Sequence, residues 1–401
     1  MKQFAAFIAI AWLAACAQLP ASGPDSKPAD AVTVERVEGD YCQTEVFKVD
    51  ADFSSANMHS CAIIDARTVE VFLKPEDVPI NLSPWYAVRL TPLLDGDVRI
   101  VLRYEEHPHR YKPKVSEDGR AWSVVPDDRV DVKAAGYRVT IKLSLDDTPL
   151  FLSAQELFTN AAHAAWIEAM STKPFVETSQ IGASIEGRPI RMMRTEASTA
   201  APKTVMLVGR QHPPEVTGAL AMTSFVEEVL GDSQLAERFR AQFDLVIIPN
   251  LNPDGVEHGH WRHNMAGIDL NRDWGPFTQP ETQAAKSVID QIDTPGLALF
   301  LDFHSTSRNV FYTQPVGRDG TEYGFTAEWL NRARGGVSDY PFDREGAHNV
   351  SLPTSKTYIY ERFGIPAITY ELGDETDRAV IAETAKVFAQ EMMTLLLEQE
   401  A

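Results

Sequence analysis

From about residue 151 onward, short apolar runs of strand length alternate with longer runs at helical spacing, and that alternation leaves a chain few folds to choose from. Thr204 to Val208 precedes an apolar helix near Ala219 to Leu230. Leu245 to Ile248, Leu297 to Phe303 and Ala367 to Tyr370 are the next strand-length runs. A helix follows from about Asp377 to Glu398, in which Ile381, Ala385, Phe388, Met392 and Leu395 or Leu396 share one face. The pattern predicts an α/β domain around a mixed, largely parallel sheet flanked by helices. Such sheets bind ligands beyond the carboxyl ends of their strands.

Residues 41 to 150 read differently. In Tyr137 to Leu143 apolar and polar side chains alternate strictly, as in a half-buried strand, and Val69 to Leu73 and Val98 to Tyr104 are also strand-like. Gly, Pro and Asp punctuate these runs. An all-β, sandwich-like domain is therefore expected ahead of the α/β domain, giving two domains in a chain of 401 residues.

Residues 17 to about 40 are rich in Ala, Pro, Ser and Asp without hydrophobic period, as in a tether. Before them, Lys2 is followed by an apolar run of 12 residues from Phe4 to Ala15, too short to span a bilayer and suited to a signal peptide over residues 1–15. That run ends in Leu13-Ala14-Ala15-Cys16, which resembles the bacterial lipobox. The resemblance implies cleavage before Cys16, lipidation of that cysteine and export as a membrane-anchored protein. By similarity to Gram-negative lipoproteins, Ala17 implies the periplasmic face of the outer membrane.

With Cys16 so used, Cys42 and Cys61 are either a disulfide or two free thiols; a bridge closing about 20 residues would contribute roughly 3 kcal/mol. The formal charge of −20 argues against nucleic acid and against electrostatic binding to an anionic membrane. The lipid, not charge, would hold the protein at a membrane. The sequence sets no oligomeric state.

Chemistry gathers at the strand ends. After the first run comes Gly209-Arg210-Gln211-His212-Pro213-Pro214-Glu215, in which His212 and Glu215 leave a strand and enter a helix. His304 follows the buried run Phe300-Leu301-Asp302-Phe303. Thr369-Tyr370-Glu371-Leu372 puts a carboxylate at the end of another apolar strand, costly to bury unless paired or working. Each segment is weak alone. Together, two histidines and a glutamate with an open fourth position suit one catalytic zinc ion, and Glu371 suits a general base beside it.

These segments, with Asn250-Leu251-Asn252-Pro253-Asp254-Gly255 and Asp269-Leu270-Asn271-Arg272, occur in an order that resembles the carboxypeptidase A-like zinc carboxypeptidases, over roughly residues 155 to 401. Ile80 to Ala87 and Arg110 to Lys114 resemble the leading domain of the cytosolic carboxypeptidase branch and its bacterial relatives. The resemblance implies that His212, Glu215 and His304 bind Zn2+ and that Glu371 activates water and passes its proton to the leaving amine. It implies that Arg262 stabilises the oxyanion, that Asn271 and Arg272 grip the terminal carboxylate of a peptide substrate, and that Asp269 orients a zinc histidine. The implied activity is hydrolysis of C-terminal peptide bonds.

The fit loosens in places. By ungapped count from Glu371, Lys356 falls where the family selects the departing side chain, and a lysine there favours an acidic residue. A shifted loop would leave it an ordinary exposed lysine. The family's loop tyrosine falls on Asn349; Tyr340, Tyr358 or Tyr360 are substitutes, none of them assigned. His258, His260 and His263 flank Arg262 as loop residues or as a second metal cluster. His107, His109, Arg110, Lys112 and Lys114 form a basic cluster that either steers acidic substrates or is a solvated hairpin face. Competing readings are a cell-wall peptide carboxypeptidase, an amidohydrolase of the related deacylase type, and a catalytically inactive binding lipoprotein.

Overall fold

The computed structural model describes residues 41–293, 296–314, 321–337 and 340–400. The expected signal peptide, Cys16 and the tether lie outside these residues. The leading β module consists of two sheets. One has six strands in the order Tyr41–Gln43, Phe47–Asp50, Ala87–Pro92, Leu150–Ser153, Lys114–Ser116 and Ser123–Val124. The other has five, in the order Ser60–Asp65, Thr68–Leu73, Gly96–Tyr104, Arg138–Leu145 and Val130–Lys133. Alternation dictates which side faces in. Val139, Ile141 and Leu143 are buried against Val88, Leu90 and Leu152 of the other sheet, as their spacing predicts. Cys42 and Cys61 form a disulfide that ties the first strand of one sheet to the first strand of the other.

An eight-stranded mixed sheet follows, in the order Glu177–Ala183, Pro189–Thr195, Phe243–Ile248, Lys203–Gly209, Leu297–Thr306, Ala367–Gly373, Val310–Thr313 and Asp343–Gly346. Its four central strands run parallel. Side chains on these strands alternate between two apolar layers. Val205 and Leu207 face the helices Val216–Val229 and Arg378–Gln399, while Met206 and Val208 face Pro280–Ile289 and Ser355–Phe363. The predicted stripe Ile381, Ala385, Phe388, Met392, Leu395 and Leu396 is buried throughout. Asp377 caps that helix by accepting the N–H groups of Ala379 and Val380.

Two details differ from expectation. His304 lies within its strand rather than after it, because the parallel ladder continues through His304–Glu371 to Thr306–Gly373. The two parts of the chain also share a core: Val216 and Trp261 of the α/β part are buried among the β module's residues, and the described residues belong to one compact unit.

Candidate active site

Parallel strands Lys203–Gly209, Leu297–Thr306 and Ala367–Gly373 end on the same side of the sheet, and that common end gathers the polar residues. His212 and Glu215 sit on the turn between Lys203–Gly209 and the helix Val216–Val229. That helix presses on the strand at His304. A Cβ on Gly218 would lie 2.5 Å from the His304 carbonyl oxygen, so only glycine permits the approach.

One nitrogen or oxygen from each of His212, Glu215 and His304 lies within 4.8 Å of the others, and all three residues are buried. Glu215 places one carboxylate oxygen 2.8 Å from His212 Nδ1 and the other 2.6 Å from His304 Nδ1. The outer faces of both rings are held by carboxylates: His212 Nε2 meets Asp269 Oδ1 at 3.0 Å, and His304 Nε2 meets Asp302 Oδ2 at 2.8 Å. A carboxylate at Nε2 keeps the proton there and turns the Nδ1 lone pair toward the common centre. This donor set and its supports fit a zinc ion with three protein ligands and an open position.

Glu371 pairs in register with His304 on the neighbouring strand. Burial, and then the nearby charge of Glu215, push its carboxyl up to about 8. Its Oε2 is buried and lacks a hydrogen-bond partner among the described residues, an expensive arrangement for a carboxylate unless something enters the site. Burial also works against the Asp269 carboxylate, but His212 and Arg262 outweigh it and hold the group well below the usual range. Arg262 donates from Nε to Asp269 Oδ2 at 2.7 Å, and its Nη1 lies 3.9 Å from Glu215 Oε1.

A cleft of about 540 Å3 opens over these groups, and Arg262, Asn271, Arg272, Asn349 and Lys356 line it with His212, Glu215, His304 and Glu371. The structure thus places the metal, catalytic and substrate-binding candidates on one cleft, while Cys16 lies outside the described residues. Lys356 is buried on the cleft wall and donates to the carbonyls of His348 at 3.0 Å and Thr313 at 3.4 Å. Asn271 is partly engaged within the protein. Its Oδ1 accepts Ser355 N–H at 2.9 Å, and its Nδ2 lies 3.3 Å from His304 Nε2.

Other expectations resolve differently. Tyr340 is buried in the apolar core on one face of the sheet, and Tyr358 and Tyr360 pack against the core on the other. Tyr312 lines the cleft instead, stacked on His348 with ring centroids 3.8 Å apart. His258, His260 and His263 have separate partners: Glu186, the His263 carbonyl and Asp77 respectively. The basic cluster is not a solvated face. Arg110 pairs with Asp374 at 2.8 Å and Lys114 with Glu375 at 3.3 Å, so it bridges the β module to the loop after Glu371. Arg110, with Asn81, Leu82 and Ser83, also lines the cleft.

Asp302 was legible yet unassigned: it sits two residues before His304 on one strand, hence on the same face. No comparable local signal marks Tyr312, and Arg110 stands out in the sequence only within the basic cluster; both reach the cleft through tertiary folding.

A family model for zinc carboxypeptidases matches residues 163–394. A protein of Zymomonas mobilis is 23% identical over 265 residues, covering 64% of this chain and 67% of its own. Human cytosolic carboxypeptidase 2 is 28% identical over 271 residues, 61% of this chain but only 27% of that protein, so the chain spans about a quarter of it. Among solved structures, a metallo-carboxypeptidase from Burkholderia cenocepacia is similar with a TM-score of 0.74 and 21% identity, covering 89% of this chain and 99% of that one. One from Pseudomonas aeruginosa, in complex with (2-guanidinoethylmercapto)succinic acid, has a TM-score of 0.72 and 21% identity over 87% and 99% of the two chains. Both include the region of the β module, which accounts for the length of the likeness. With the matched segment carrying His212, Glu215, His304 and Glu371 on one cleft, the chain belongs to the zinc carboxypeptidase family.

Proposed function

We propose that this protein removes the C-terminal residue from peptides that end in a free carboxylate, with preference for acidic last residues. The observation that carries the reading is the convergence of His212, Glu215 and His304 on one point, with Glu371 in register beside His304. Zinc held there supplies Lewis acidity, which makes water acidic enough to ionise near neutral pH and polarises a carbonyl.

Glu371, buried and with one oxygen unpartnered, would be ionised once the positive charge of a bound zinc ion offsets the burial and the Glu215 charge that raise its carboxyl. It then accepts the proton from water and returns it to the departing amine. Arg262 stands beside Glu215, where its cation meets negative charge developing on the carbonyl oxygen. Asp269 and Asp302 hold the two histidine rings so that neither has to reorient during the reaction.

Arg272 and Asn271 line the same cleft and hold the terminal carboxylate, for which a guanidinium offers a matched fork. That grip limits cleavage to the last bond. Lys356 lies deeper on the wall as the partner for an acidic terminal side chain, and Arg110, Arg262 and Arg272 line the same cleft beside the carboxylates of Glu215 and Glu371. Export and anchoring through a lipid at Cys16 belong to the same proposal. The Cys42–Cys61 disulfide supports them, because such bonds persist in oxidising compartments.

Digestion of a peptide library varied at its last residue, read by mass spectrometry with zinc and with chelator, tests the reading. Chelator-sensitive loss of single residues, fastest for Glu and Asp, is expected. Equal loss of all residues would remove the acidic preference, and no loss would remove the activity.

A further inference from the structure

The β module reaches the metal site by a route that the zinc carboxypeptidase segment alone does not contain. Glu76 lies just past the strand Thr68–Leu73, and its carboxylate accepts three successive backbone N–H groups of the loop that carries Arg262. Oε2 accepts from Trp261 at 2.7 Å, and Oε1 accepts from Arg262 at 2.8 Å and His263 at 2.7 Å. Converging amides make a cradle for an anion, and charge-assisted bonds of this kind are strong and directional.

The side chains on either side of Arg262 are fixed as well. The Trp261 indole is buried in the core of the β module, and His263 Nδ1 meets Asp77 Oδ1 at 2.6 Å. Arg262 itself extends to the metal site, bonding Asp269, which in turn holds His212. One unbroken set of contacts therefore runs from Glu76 through the 261–263 backbone, Arg262 and Asp269 to a metal ligand.

We infer that Glu76 is a positioning residue that sets the Arg262 guanidinium at the metal site, which makes the β module a working part of the active site. The inference rests on the role proposed for Arg262. A guanidinium displaced by a fraction of an ångström would meet the developing oxyanion poorly, which lowers turnover more than substrate binding. General support of the loop is carried elsewhere. Ser55 N–H donates to the Glu257 carbonyl at 2.8 Å and Asn57 Nδ2 to the Gly259 carbonyl at 2.6 Å, so a Glu76 variant keeps the loop attached while releasing its aim.

The test is a cycle on the full zinc-loaded chain with Glu76→Gln, Arg262→Ala and the double variant. Glu76→Gln keeps an acceptor for Arg262 and His263 but turns a donor toward the Trp261 N–H. The expected result is a fall in kcat of about tenfold or more with KM within about twofold. In the Arg262→Ala background the same change should cost less than about twofold, because the residue it acts through is gone.

An equal loss in both backgrounds, or no loss in either, would overturn the inference. If Glu76→Gln does not fold, Glu76→Asp, which keeps the charge and shortens the reach, goes through the same cycle. A second readout needs no substrate: the arginine Nε–H NMR resonance that vanishes in Arg262→Ala. It should shift in Glu76→Gln, and an unmoved resonance sinks the idea. Should the wild-type protein trim no peptide, the proposed function fails, and this resonance alone decides whether Glu76 positions Arg262.

Discussion

His304 and Glu371 are register partners on adjacent parallel strands, so a metal ligand and a buried carboxylate stand side by side on the floor of one cleft. The backbone ladder, not a flexible loop, sets their separation. A site built on strands is held more precisely than one on loops, and the placement predicts a clean division of labour between them.

Glu371→Gln should therefore leave zinc content at one ion per chain while turnover falls by about 10²–10⁴-fold. Metal analysis and peptide hydrolysis on the same preparation check this. A variant that loses zinc would place Glu371 among the ligands, and one that keeps its rate would remove it as the base.

Asp302 accepts from His304 Nε2, from Gln211 Nε2 at 2.6 Å and from the Ser355 hydroxyl, which ties the ligand to two neighbouring elements, the turn carrying Gln211 and the helix Ser355–Phe363. Asp302→Ala should weaken zinc binding by about ten- to a hundredfold, read by competition with a chromogenic chelator. Unchanged affinity would show that the ring is oriented by something else.

Much of this was readable from the chain because several site residues sit at a change of local pattern. His212 and Glu215 mark a strand-to-helix turn, and Glu371 interrupts an apolar run. The stripe from Ile381 to Leu396 likewise announced its helix, since burial on one face leaves a period in the sequence. What stayed hidden is what long-range packing decides. Tyr312 enters the cleft by stacking on His348, and Arg110 crosses from the β module to Asp374. Neither contact leaves a local period. Glu76 is hidden for the same reason: its three partners are backbone amides 185 to 187 positions away.

Lys356 is buried on the cleft wall with backbone carbonyls around its Nζ. Lys356→Met preserves length and apolar bulk but removes the charge. The ratio of kcat/KM for Glu-terminated over Leu-terminated peptides should fall by about tenfold or more, as for loss of a charged hydrogen bond. An unaltered ratio would place the selecting group elsewhere.

The disulfide links two strands from different sheets of the β module, across a sequence separation of 19. Replacing Cys42 and Cys61 together by serine should lower stability by about 3 kcal/mol, measured by denaturant unfolding. Because Trp261 is buried in that same core, the double variant should also lose turnover at temperatures where the β module loosens first.

The most direct test of the central claim uses two peptides of one sequence, one ending in a free carboxylate and one in a C-terminal amide, each incubated with the zinc-loaded and the chelated protein. Release of the last residue from the free acid alone, and only with zinc, is the expected result. Equal cleavage of the amide, or cleavage that survives chelation, would contradict the account of a zinc-dependent enzyme that grips the terminal carboxylate.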